Sequence, residues 1–105
     1  MKFQNTTMEE KNNIQDDHAL LWAANETNVG NLAASIAGNY KSNPKRPITI
    51  QYIGAGACNQ AIKSVLLANK FISEMGKVIH IIPASLKLPD GIVAFQLKLL
   101  IKDIN

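Results

Sequence analysis

Four residues with almost no side chain, Gly54-Ala-Gly-Ala57, join an apolar β-branched run, Ile48-Thr-Ile-Gln-Tyr-Ile53, to a long helical pattern. Few folds need so bare a junction. Small residues let a strand turn sharply into a helix and let that helix lie close on a sheet. They also leave backbone N–H groups bare at a helix N-terminus, where a phosphate can be accepted. The two uses are compatible, and both fix a strand followed directly by a helix.

The rest of the chain follows from that unit. His18 to Ala24 is an apolar run of strand length, broken by Asn25-Glu-Thr-Asn28, which supplies a helix N-cap. Val29, Leu32, Ala33, Ile36, Ala37 and Tyr40 then recur at helical spacing and define one apolar face. Pro44 and Pro47 end this helix inside the basic turn Lys41-Ser-Asn-Pro-Lys-Arg-Pro47. The second helix is expected from about Ala57 to Ser73. Its apolar stripe is Ala57, Ala61, Val65, Ala68 and Ile72, with Cys58 and Ile62 beside it and Asn59, Lys63 and Lys70 opposite. Gly76 closes it. Val78 to Ile82 begins a third strand that runs on past Pro83 toward Leu88. Pro89-Asp-Gly91 is a turn, and Ile92 to Ile101 is the fourth strand.

The order is β-α-β-α-β-β. Right-handed crossovers place both helices on one face of the sheet, and the tight turn makes the fourth strand antiparallel to the third. The expected fold is α+β: a two-layer sandwich with a mixed four-stranded sheet. Residues 1–17 are polar and without lasting periodicity and read as a mobile leader; residues 18–105 form one domain. At 47% hydrophobic and 18% charged residues, the chain reads as globular. No apolar run approaches the roughly 20 residues of a membrane span, and the N-terminus has no signal-peptide character. With a single Cys, the cytoplasm is the expected compartment. The leader has two lysines against four acids, whereas residues 18–105 have nine Lys and Arg against four acids. A basic domain permits nucleic-acid binding without requiring it.

Catalytic chemistry finds no constellation. The dinucleotide fingerprint fails because its third glycine is Asn59 and no acid ends the next strand. The phosphate-loop pattern lacks its Gly-Lys-Ser/Thr. Cys58 has no basic or acidic helper nearby in sequence and reads as structural. His18 and His80 lack metal-ligand spacing. Trp22 and Tyr52 have the surface for base stacking, but in the strands of a small domain core packing accounts for both. A non-enzyme is expected, with no cofactor, no metal and no small-molecule substrate.

Ile53-Gly-Ala-Gly-Ala-Cys-Asn-Gln-Ala-Ile-Lys63 resembles the central motif of the stage V sporulation protein S family, with Ile81-Ile-Pro-Ala84 similar to its third strand and Asp90-Gly91 to its hairpin turn. That family resembles the Alba proteins in fold: small basic dimers that bind DNA or RNA. The resemblance implies an Alba-like domain, nucleic-acid binding, a homodimer and a regulatory role. Gly54, Ala55, Gly56, Asn59, Gln60 and Lys63 match the family motif and are the expected phosphate contacts, with Lys70. The turn after the first strand has no cation, so Lys41, Lys45 and Arg46 are expected to contribute from another edge. Leu66 and Leu67 are the expected dimer contacts. The alternative is a protein-interaction or assembly module that uses these leucines and the apolar hairpin from Ile92 to Phe95.

Overall fold

The computed structural model describes residues 17–104; the leader up to Gln15 and Asp16 lies outside the described residues. Six elements follow one another: β1 (Ala19–Ala23), α1 (Val29–Ser42), β2 (Ile48–Tyr52), α2 (Ala55–Ser73), β3 (Lys77–Lys87) and β4 (Val93–Asp103). The order and the α+β class are those expected from the sequence. The sheet runs β1-β2-β4-β3. β1 is parallel to β2, and β4 is antiparallel to both β2 and β3. The last strand is thus inserted between the two strands that flank α2.

Local chemistry sets the helix ends. Asn28 caps α1, its Oδ1 accepting the N–H of Asn31 at 2.9 Å. The N–H of Asn43 bonds back to Asn39 at the other end, just before Pro44. α2 begins at Ala55, two residues earlier than expected. Only Gly54 makes the turn; Ala55, Gly56 and Ala57 already form the first helical turn. Gly54 has φ 93° and ψ 160°, a region open in practice to glycine alone. Gly56 is bare for another reason. A Cβ there would fall 1.6 Å from Oδ1 of Asn25, whose side chain lies across the helix start.

Strand alternation divides the sheet into two unlike faces. Ala23, Ile48, Ile50, Leu97 and Leu99 pack with Leu32, Ala33 and Ile36 of α1 and with Ala61, Val65 and Ala68 of α2 into the core. Three of the α2 residues turned to the interior, Ala57, Ala61 and Ala68, are alanines, so the helix lies close on what it covers. Every apolar-stripe residue expected in α2 is buried. Burying an aliphatic side chain such as Ile36 or Ile50 contributes about 1.5–3 kcal/mol, and truncating one to Ala costs about 2–5 kcal/mol. Ser64 is also fully buried, which the hydrophobic pattern alone does not show; its hydroxyl is satisfied by the carbonyl of Gln60 at 2.7 Å.

No described helix covers the opposite face. Leu20, Trp22, Ile82, Leu86 and Leu100 stand exposed there, with Thr49 and Gln51 buried between the neighbouring strands. Their polar atoms are paired: Oγ1 of Thr49 lies 2.7 Å from Nε2 of His18, and Gln96 donates to Oε1 of Gln51 at 2.7 Å. Trp22, expected in the core, is instead 53% exposed. Its neighbours in β1, Leu21 and Ala23, face the helices, so alternation turns the indole outward.

Candidate functional site

β2 and α2 run in opposite directions, so Gly54 lies at one end of the sandwich and Ser73 near the other. At the Gly54 end the cap residue offers no side-chain hydrogen bond, and the first turn of α2 has no acid. Gly54, Ala55 and Gly56 are exposed. The helix macrodipole and the free amides both favour an anion at this point. Gln60 is engaged in the fold: its Nε2 donates to the carbonyl of Thr27 at 2.8 Å and ties α2 to the turn after β1. Asn59, Lys63 and Lys70 are exposed and recur along the outer face of the helix, as their spacing predicts. From Lys63 to Lys70 the rise is about 10 Å. α2 contains no Asp or Glu.

Leu66 falls on that same outer stripe and is 62% exposed. Leu67, expected beside it as a second exposed residue, is half-buried and packs against the core. One helical position separates the two, and it turns Leu67 toward the sheet.

Lys41, Lys45 and Arg46 are at the far end of the domain, where α1 returns to β2. The structure therefore does not bring them together with the Gly54 turn. Arg46 is occupied in the fold. Its Nη1 donates to Oδ1 of Asn39 at 2.8 Å, and its buried Nε lies 3.2 Å from Oδ2 of Asp17 as an ion pair rather than an aligned hydrogen bond. Asn43 donates to the same carboxylate at 2.7 Å. The Asn43 amide first, and the Arg46 guanidinium second, hold the Asp17 carboxyl below the usual carboxylate range. A cleft of about 420 Å³ opens here, lined among others by His18, Tyr40, Lys45, Thr49 and Lys98.

A further cluster at the Gly54 end joins residues distant in sequence. Phe95 of β4 pairs with Tyr52 of β2, and the two rings stack with centroids 5.8 Å apart and planes 27° from parallel. The Cys58 side chain of α2 first, and burial second, push the Tyr52 phenol up to about 12. Tyr52, Phe95 and Cys58 line a cleft of about 250 Å³ with Gly54 and Ala55. Only the Tyr52-to-Cys58 spacing is visible in the sequence; the Phe95 partner depends on the register of β4.

Residues 19–89 match the family model described as stage V sporulation protein S (SpoVS). The chain belongs to this family. The match spans β1 through β3 and includes the Gly54 turn, Asn59, Gln60 and Lys63; it ends before β4. No curated protein matches the chain. No helix among the described residues is long and apolar enough to cross a membrane.

Proposed function

We propose that this SpoVS-family chain is a non-enzymatic, nucleic-acid-binding regulatory protein that contacts the phosphate backbone. The observation that carries this reading is the uncapped N-terminus of α2, continued along the helix by Asn59, Lys63 and Lys70 without a single acid. Amides and the helix dipole receive one phosphate, and lysines neutralise others farther along. Such contacts position a backbone and carry little sequence information. The Alba-like fold implied by the family resemblance agrees with this role. Lys41, Lys45 and Arg46 form a separate basic edge.

We further propose a homodimer in the cytoplasm. Leu66 shares its stripe with Lys63 and Lys70, so a dimer closing on this leucine would compete with a backbone lying along the same stripe. Sedimentation of the wild type against Leu66→Glu decides the point: a two-chain species reduced to one chain is expected, and an unchanged species removes Leu66 from the interface.

A second reading, a protein-interaction module, is favoured by the exposed side chains of Leu20, Trp22, Ile82, Leu86 and Leu100 on the open sheet face. Electrophoretic shifts with DNA and RNA over a range of salt separate the two readings. The nucleic-acid reading expects a shift that weakens steeply with salt, by about 0.9 in log affinity per log salt for each phosphate neutralised on a duplex. No shift at low salt overturns it in favour of the second.

A further inference from the structure

Contacts to a phosphate backbone do not account for the two rings of the cleft between Tyr52 and Phe95. Aromatic rings that support only a core are buried, yet Phe95 is 45% exposed. The ring is nevertheless held. Tyr52 stacks on one side of it, with the ring centroids 5.8 Å apart. Gly54 and Ala55 form a wall that has almost no side chain, so a flat group can approach the backbone closely. At about 250 Å³ the cleft is smaller than the roughly 300–1,000 Å³ of sites for drug-sized molecules. It suits one planar ring system rather than an extended ligand.

The charges around the cleft select the kind of ring. The N-terminus of α2 opens beside it with no acid in its first turn. Ser85 lies opposite Phe95 and Lys87 opposite Val93, so Lys87 projects on the same face as Phe95, one pleat away. Asp90, in the hairpin, accepts the N–H of Ile92 at 3.0 Å. Glu26, in the turn after β1, follows Asn25, whose side chain lies across the start of α2. An aromatic seat flanked by a lysine and a helix N-terminus complements a flat ring attached to a phosphate.

We propose that the Tyr52–Phe95 cleft seats one unpaired base of a single-stranded nucleic acid. The proposal rests on the nucleic-acid reading above and narrows its substrate class. A base within a duplex has both faces covered by its neighbours, whereas a single strand can turn one face onto the exposed edge of the aromatic pair. Stacking of this kind tolerates any base, since every base has a π-face. The amides at Ala55 and Gly56 then receive the adjoining phosphate.

Anisotropy titrations of labelled oligouridylate, oligothymidylate, an abasic strand of equal length and a duplex test the proposal. They compare the wild type with Phe95→Ala, Phe95→Leu and Phe95→Trp. Phe95→Ala and Phe95→Leu are expected to weaken binding of the single strands about tenfold to a hundredfold, the effect of losing one stacked base. Phe95→Trp restores it, and the abasic strand and the duplex bind all four proteins alike. Phe95→Leu keeps apolar volume without a π-face, and thermal melts of each variant report folding. If the Leu variant binds the single strands as the wild type does, the cleft is not the seat, while backbone binding stands. Equal losses on single strand, duplex and abasic strand assign Phe95 a purely structural role and overturn the proposal. If the wild type binds neither strand form, the nucleic-acid reading fails and this proposal with it.

Discussion

The two ends of the sandwich solve the same problem in opposite ways. Each must join a helix and a strand. Between α1 and β2 the connection is stiffened by Pro44 and Pro47 and charged by Lys41, Lys45 and Arg46, and Arg46 is tied to Asp17 and Asn39. Between β2 and α2 the connection is Ile53 and Gly54, the glycine at φ 93°, with neither charge nor capping side chain. The basic end has the greater formal charge, but part of its hydrogen-bonding capacity is already used within the fold. The bare end has no charge of its own and leaves its amides open. Counting cations therefore misjudges where an anion would be received; unspent donors are the better guide.

Backbone geometry gives the largest expected difference between the ends. Gly54→Ala is expected to lower the unfolding free energy by about 1–3 kcal/mol, since it forces a side chain into a region reserved for glycine. Pro47→Ala is expected to lose less, about 0.4–1 kcal/mol, mainly through greater freedom of the unfolded chain. Urea titrations of both variants check the ranking. A larger loss at Pro47 breaks the contrast.

Charge is the next test. Replacing Lys63 and Lys70 together with Gln is expected to reduce the slope of log affinity against log salt by about 0.9 for each duplex phosphate that is no longer neutralised. Over a fourfold range of salt, two such phosphates amount to about tenfold in affinity. Replacing Lys41 and Lys45 together is expected to change the slope less. Equal reductions of the slope in the two double variants would mean that both ends bind.

A smaller effect is expected in acid. The Asp17 carboxyl is held below its usual value in the folded protein, so in the window between the two values the unfolded chain binds more protons. The stabilisation is present above about pH 4 and is lost as pH falls through the depressed folded value. Asp17→Asn is expected to remove that part of the acid dependence; melts of both proteins down to pH 3 check it. The smallest signal is spectroscopic. Tyr52, held up to about 12, ionises late in an ultraviolet titration, and Cys58→Ala is expected to move it back toward the ordinary tyrosine range. An unmoved titration would separate Cys58 from the aromatic pair.

Local periodicity makes much of this architecture legible. The α2 stripe from Ala57 to Ile72 needs only a count of positions, and every member is buried. The same count places Asn59, Lys63 and Lys70 on the outer face. The Gly54 junction is readable as a strand-to-helix connection. Its division into one turning glycine and one glycine that makes room for Asn25 is not, because the Asn25 side chain arrives from another loop. Trp22 departs from its expected place because an apolar run of strand length does not show which alternate residues meet the helices. The Tyr52–Phe95 cleft and the Arg46–Asp17 pair are hidden for a common reason: each joins residues whose proximity is set by sheet register or chain return, not by spacing.

The insertion of β4 between β2 and β3 has a consequence for assembly in time. During synthesis β1, α1, β2, α2 and β3 all emerge before the strand that joins the two halves of the sheet. Until Val93–Asp103 arrives, one edge of β2 is open and β3 has no partner in the sheet. A chain stopped at the hairpin would therefore expose unpaired edges that invite association with other chains. The closing pairings, such as Ile48 with Leu99, span about half the sequence, so the closure of a long loop precedes the last step of sheet formation. The keystone of the sheet is the last piece to be made.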